Sequence, residues 1–273
     1  MSMTSELMDS RELLYNLTMR EVRGKYKRSV LGQTWSLINP IATLAIYTAV
    51  FGIVLRALPP AGDPSGVNVF AVWLACALLP WNFFNNTVVG GMGSLLGNGN
   101  LIQKVYFPRW TLVVASMLAS LVTFGFELLV LLVACVIFGS MPWIWIPGIL
   151  LTVVFLGLFG LGIAMMLSVA NVYFRDTAQF IGIFLQIWFY ATPILYPISL
   201  ISSRADTHPG IPLMFLYRLN PMERFSVLFR NFFYDNRMPE ITDIAYCIGA
   251  AAVSMALGIW VFTKFQARIA EEL

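Results

Sequence analysis

Residues 20–40 read REVRGKYKRSVLGQTWSLINP. Within a few residues a dense cationic run gives way to a long uncharged apolar stretch. Arg20, Arg23, Lys25, Lys27 and Arg28 precede Trp35, and no further charge occurs until Arg56. Lys and Arg beside an apolar span are retained on the cytoplasmic side, where anionic headgroups also attract them. Trp35 falls where the headgroup boundary is expected. The stretch therefore predicts a cytoplasmic flank, an orientation and the start of a first membrane crossing. The alternative is a basic surface loop ahead of a buried helix.

Working outward, composition favours the membrane. The chain is 59% hydrophobic and only 11% charged, far from the balance of a soluble domain. Charge-free runs cover 29–55, 64–103, 128–174, 177–203 and 244–263, while 110–126 ends at Glu127. A bilayer core takes about 20 apolar residues per helix. The expected fold is thus an all-α membrane protein with six transmembrane helices, near 33–56, 67–92, 110–138, 145–170, 177–198 and 242–264. Turn residues separate the first spans, at Pro59–Pro64, Gly97–Asn100 and Gly139–Pro142. With the N-terminus inside, Lys104, Arg109, Arg175, Lys264 and Arg268 also fall inside, making eleven of 17 basic residues with the six before Ser29.

Residues 1–28 place Glu6, Asp9, Arg11 and Glu12 among short apolar pairs, which does not read as a signal peptide. They are expected to form an amphipathic interface helix, with Leu13, Leu14, Leu17, Val22 and Tyr26 toward lipid. Residues 29–273 then form the transmembrane domain. Cys76, Cys135 and Cys247 all fall in expected spans and read as small buried hydrophobes, with no disulfide or metal spacing.

The segment 199–241 departs from the charge rule, since Arg204, Arg218, Arg224, Arg230 and Arg237 would lie outside. Asp206, Glu223, Asp235 and Glu240 are available to pair with them. A seventh crossing would bring the segment inside, but no second charge-free run of adequate length exists there. Asn220-Pro221-Met222-Glu223 offers an N-cap, a proline at the first helical position and a capping-box glutamate. Phe225, Leu228, Phe229, Phe232 and Phe233 follow at helical spacing. With the short apolar piece Ile211–Leu219 ahead of it, two half-membrane helices dipping back into the outer leaflet are expected. An amphipathic hairpin resting on the outer surface is the other reading.

Polar stripes mark several spans. Ser36, Asn39, Thr43 and Tyr47 share one face of the first, and Ser116, Ser120, Thr123 and Glu127 one face of the third. A carboxylate at mid-helix costs roughly 3 kcal/mol on insertion scales and turns toward a bundle interior or water. Glu127 is therefore either a pathway group or a buried hydrogen-bonding group. Gln179, Gln186 and Tyr190 share a face of the fifth span, which is also dense in aromatics including Phe184 and Trp188. Such rings suit the apolar faces of sugars, or form ordinary packing and an interfacial belt. Ala250, Ser254 and Gly258 on the last span, and Gly160, Ala164 and Ser168 on the fourth, are small-residue stripes for helix contacts within or between subunits.

No catalytic residue or metal site is expected. The sequence lacks a G-x-x-x-x-G-K-[ST] phosphate loop, and its single histidine, His208, leaves no Ser-His-Asp set. If transport is active, its energy comes from another chain.

Five ordered fragments carry a resemblance. They are Tyr26–Gly32 with Trp35–Pro40, Leu95–Ile102 with Lys104–Arg109, Tyr173–Asp176, Thr192–Pro197 and Asn220–Met222. With these the chain resembles the membrane subunit of ABC-2 type ATP-binding-cassette exporters, in the branch that moves lipid-linked polysaccharides and teichoic acids. The resemblance implies an interface helix, carrying Arg20, Arg23, Lys25, Lys27 and Arg28, that clasps a nucleotide-binding subunit. It implies a coupling helix over 97–106, with Asn98, Asn100, Leu101 and Lys104 docking into that ATPase, and a second contact at Arg175 and Asp176. Ser36, Asn39, Thr43, Tyr47, Glu127, Phe184, Trp188 and Tyr190 become candidates for the conduit. It implies that 199–235 forms short re-entrant gate helices between spans five and six, with Arg218, Asn220, Pro221, Glu223, Arg224 and Arg230 as candidates for the outer gate, the arginines facing phosphate or standing on a solvated face. A homodimer with two ATPase chains is implied, in the bacterial inner membrane, with both termini cytoplasmic. ATP and Mg are then used by the partner, and this chain holds no cofactor and binds no nucleic acid. Membrane lipid surrounds it, and its substrate is a polyprenyl-diphosphate-linked glycan.

Three other functions fit parts of the pattern. An ABC-2 exporter of drugs or small lipids shares the fold, although the aromatic fifth span and the basic stretch speak for the glycan branch. An ATPase-independent transporter or channel predicts paired intramembrane ionisable groups or inverted repeats, and neither is found. A scaffold for glycan assembly is the third.

Overall fold

The computed structural model describes residues 11–25, 35–54, 59–201, 213–266 and 269, and every regular element among them is helical. Ten α-helices follow in order. They are α1 (Arg11–Lys25), α2 (Trp35–Tyr47), α3 (Phe70–Gly97), α4 (Gly99–Lys104), α5 (Trp110–Ile137), α6 (Ile146–Tyr173), α7 (Thr177–Ala191), α8 (Leu213–Arg218), α9 (Pro221–Arg230) and α10 (Ile241–Phe265). Helix α2 continues as π-helix over Thr48–Val54, and α9 does so over Asn231–Asp235. Trp110–Ile137, Pro142–Tyr173 and Ile241–Phe265 are each long and apolar enough to cross a membrane. The fold is all-α and multi-span, as composition predicts.

Helix α6 sits at the centre because it is apolar on every side. It packs against α3 on one face and α10 on another. The stripe Gly160, Ala164, Ser168 serves the α3 face: a Cβ on Gly160 would lie 3.1 Å from Thr87, and one on Gly91 would lie 2.7 Å from Ala164. The opposite face rests on Gly162, which the sequence reading did not single out. A Cβ there would stand 2.4 Å from the Ser254 carbonyl, and one on Gly258 would stand 2.5 Å from the Gly162 carbonyl oxygen. Ser254 Oγ closes the contact by donating to the Phe159 carbonyl at 2.8 Å. The small stripe on α10 is thus a contact within the subunit.

Two apolar clusters fill the chain, one toward each end of the bundle. The larger is aromatic: Phe83 stacks on Phe124 with centroids 4.6 Å apart, Phe84 on Phe159 at 5.4 Å, and Phe124 meets Phe229 edge-on at 6.1 Å. The smaller joins Leu17 of α1, Ile102 of α4, Trp110, Val172, Phe262 and Ile269. All three cysteines are buried.

Several expectations change. Leu17 and Val22 are buried, with Leu13 and Leu14 packed beside the smaller cluster. The apolar stripe of α1 therefore faces protein rather than lipid, because it packs on α5 and shares the smaller cluster with Ile102 and Phe262. Tyr26, Lys27 and Arg28 lie outside the described residues, as do Arg204, Asp206, His208 and Arg268. The fifth span is shorter than 177–198. Its helix has 15 residues and ends at Ala191, about 22 Å at 1.5 Å per residue, and Thr192–Pro197 turn away. The capping box at Asn220 is only half formed. Asn220 Oδ1 accepts the Met222 N–H at 3.1 Å, but the Asn220 N–H goes to the Tyr217 carbonyl at 3.1 Å. The preceding helix α8 supplies that carbonyl, so Glu223 has no amide left to reach back to.

Candidate functional site at the two ends of the bundle

At the end where α1 docks, the sequence of the α3–α4 turn decides the geometry. Gly97 to Asn100 stops one helix and starts another, so Asn98 lies at the joint. Its Nδ2 donates to the Ser94 carbonyl at 2.8 Å, and its Oδ1 accepts from Arg20 Nη2. Two residues expected to touch an ATPase separately are therefore bound to each other. Arg20 also lies 3.4 Å from Glu21, both partners being well exposed. Nearby, Arg109 Nη1 donates to the Gln266 carbonyl and ties the start of α5 to the end of α10. Arg23, Asn100, Lys104, Arg175 and Asp176 remain exposed at this end, and Leu101 is half-buried under them. Tyr106 is completely exposed and Phe174 is exposed beside Arg175. Both lie in fragments that carry the resemblance, Tyr106 also within the expected coupling helix, but neither is among the expected site residues. Their signal was an aromatic set next to a basic residue in a short inter-helix turn.

The opposite end is built around α9. Asn220 joins three segments: Trp188 Nε1 donates to its Oδ1 at 2.8 Å, and its Nδ2 donates to Thr192 Oγ1 at 2.9 Å. Thr192 Oγ1 in turn donates to the Trp188 carbonyl at 2.8 Å. Trp188 also contacts the rings of Trp81, Phe84, Phe159 and Phe184. It is part of this knot, whereas Phe184 and Tyr190 are exposed on the outer face of α7.

The gate arginines divide. Arg224 Nη1 binds Asp243, Nε donates to the Arg218 carbonyl at 3.1 Å, and Glu223 Oε2 lies 3.6 Å away. It is a tie between α9 and α10. Asp243 was not anticipated, because nothing in a sequence links residues nineteen positions apart across a turn. The Arg218 side chain is exposed. Arg230 lies over the Trp73 ring, 3.8 Å from its centroid, and donates from Nη2 to the Ile194 carbonyl at 3.1 Å. Asp235 and Arg237 pair at 3.5 Å. Burial pushes the Asp235 carboxyl up from its usual range, and Arg237 draws it partly back.

Among the conduit candidates, Glu127 is buried inside the bundle. Ser120 Oγ donates to the Ser116 carbonyl at 3.1 Å, which spends that hydroxyl on its own helix. Tyr47 packs beside Phe51 at 6.2 Å and Thr43 is half-buried. The side chains of Ser36 and Asn39 lie outside what is described.

Residues 12–234 match the family of ABC-2 type transporters. The chain belongs to that family. It is 30% identical over 265 residues to the O-antigen export system permease protein RfbA of Myxococcus xanthus, covering 96% of this chain and 95% of that protein. The Klebsiella pneumoniae protein of the same name is 27% identical over 266 residues, with the same coverage. The polysialic acid transport protein KpsM of Escherichia coli is 23% identical over 193 residues, or 67% of this chain and 69% of that one. Membership makes this a permease of the ABC-2 type and a multi-pass protein of the membrane.

Proposed function

We propose that this chain is the membrane-spanning permease subunit of an ATP-driven exporter. It moves a polyprenyl-diphosphate-linked polysaccharide of the O-antigen type from the cytoplasm across the bacterial inner membrane. The observation that carries this reading is the similarity to O-antigen export permeases over 96% of the chain. The chain does no chemistry on its substrate; ATP and Mg are used by a separate nucleotide-binding partner present in two copies.

The geometry supports a division of labour on this reading. The end bearing α1, the α3–α4 turn and Arg175 presents exposed cations beside exposed Tyr106 and Phe174, which suits docking on a cytoplasmic ATPase. Asn100, Leu101, Lys104, Arg175 and Asp176 are the contacts, and both termini are cytoplasmic. Helices α2, α3, α5, α6, α7 and α10 are the six spans, and α8 and α9 are re-entrant gate helices at the outer mouth. Two copies enclose the conduit between exposed faces of α2 and α7, where Phe184 and Tyr190 would offer aromatic contacts to passing sugars.

The deciding experiment is reconstitution of the chain with its cognate ATPase in proteoliposomes. ATP-dependent movement of the lipid-linked glycan is expected, and depletion in cells should leave that polymer inside. Lys104→Glu is expected to cut export at least tenfold while the ATPase still hydrolyses ATP. Unchanged export would remove Lys104 from the coupling contact, and a complex that hydrolyses ATP without moving glycan would sink the reading.

A further inference from the structure

At the gate end lies a cavity of about 240 Å³ walled by Trp73, Pro197, Ser199, Arg230, Tyr234 and Arg237, with Asp235 at its edge. It has room for about eight waters at their liquid volume. Three segments meet there: the first turn of α3, the turn after α7, and α9 with its π-helical extension. None of the family fragments or stripes singled out Trp73, Tyr234 or Arg237.

The charge on its wall is unbalanced. Arg237 is paired to Asp235 at 3.5 Å and donates to Asn231 Oδ1 at 3.1 Å. Arg230 forms no ion pair among the described residues, and its buried Nε has no hydrogen-bond partner. A guanidinium does not lose its proton. On the wall itself two arginines stand against one carboxylate, while Glu223, the other carboxylate that acts on Arg230, lies outside the lining beside Arg224; an anion in the cavity would complete the charge there. The ring of Trp73 and the Ile194 carbonyl hold the Arg230 plane still, and a fixed planar fork suits oxyanions in two-point contact. Tyr234 directs its hydroxyl to the Pro60 carbonyl at 3.0 Å, so the loop before α3 is braced against the same wall.

The geometry points to this cavity as a binding site for a phosphate ester carried by a lipid, with Arg230 and Arg237 as its cationic contacts and Trp73 as the support for Arg230. The inference deepens the exporter reading and rests on it for the choice of a lipid-borne phosphate. The phosphate belongs either to the substrate's polyprenyl carrier or to a bilayer phospholipid. Both carry phosphoryl oxyanions, the chemistry a guanidinium fork recognises.

The test uses the complex of this chain with its ATPase in a phosphate-free maltoside micelle. Ser199→Cys on the exposed rim is the reporter, since Cys76, Cys135 and Cys247 are buried. Maleimide labelling is timed with phosphatidylglycerol added, and separately with polyprenyl diphosphate. A ligand at ten times its dissociation constant should slow labelling about tenfold. Slowing by polyprenyl diphosphate alone supports the site with the carrier as occupant; slowing by phosphatidylglycerol supports it with a bilayer lipid. Arg230→Gln is expected to abolish the effect. Arg237→Gln, at an exposed residue whose loss spares the core, should weaken it. Absence of slowing by either lipid, or slowing undiminished in both variants, overturns the proposal. Labelling requires neither ATP nor transport, so the site can fail while the exporter reading stands, and the reverse.

Discussion

Asn220 uses both ends of its amide. The oxygen caps α9 and accepts from the Trp188 indole, while the nitrogen reaches Thr192. Replacing it by Ala removes an N-cap worth about 1 kcal/mol and leaves the indole N–H without its acceptor. Asn220→Ala is therefore expected to lower the thermal midpoint of the detergent-solubilised protein more than Asn220→Asp, which keeps the oxygen. Differential scanning fluorimetry checks the order, and equal losses would mean the Thr192 contact carries the effect. Arg224 and Asp243 offer a second case. Asp243 is buried, so Asp243→Asn leaves a cation short of its partner, a change that costs about 3–5 kcal/mol where such pairs are dry. Replacing both by Met and Leu is expected to restore much of that loss in the same assay. The capping asparagine was legible in the sequence, since Asn-Pro-Met-Glu carries its own local rule. The ion pair was not, because its partners meet only through the crossing of two helices.

At the scale of elements, small-residue stripes told which helices pack but only partly which residues touch. Ala250, Ser254 and Gly258 stood out through their four-residue spacing, and the last two are in the contact. Gly162 has no such spacing partner on its own side of α6, so periodicity passed it by, although its backbone comes nearest. Gly162→Ala is expected to destabilise by about 1–3 kcal/mol through overpacking, since the added carbon meets backbone atoms that cannot turn aside. Gly182→Ala is the control, with nothing within 4 Å of its Cβ position. If both variants melt together, the α6–α10 contact is looser than described. Helix existence and order followed from charge-free runs, because a membrane span is long and compositionally plain. The short fifth helix followed only in part, since Pro193 and Pro197 signal its end while Thr192 to Pro197 is as apolar as a span. The direction of α1's apolar stripe was likewise beyond composition, because lipid and a neighbouring helix both attract leucine.

Across the whole molecule, the smaller apolar cluster gathers α1, α4 and the ends of α5, α6 and α10 into one body. Arg20 and Asn98 clip its surface together. A force applied to α1 therefore reaches the α3–α4 turn without a flexible joint between them. Arg20→Cys with Asn98→Cys, joined by a short reducible bis-methanethiosulfonate linker, is expected to leave ATP-driven export largely intact in proteoliposomes. Loss of export on cross-linking, with recovery on reduction, would show that the two parts must separate during the cycle. The backbone contact at Gly162 and Gly258 adds a mechanical consequence. Most helix pairs meet through side chains, which can change rotamer and let one helix slip past the other. Here main chain rests on main chain, and there is no compliant layer to absorb a slip. Helices α6 and α10 should then behave as a single stiff spar, and whatever opens this permease must bend or swing around that spar rather than shear it.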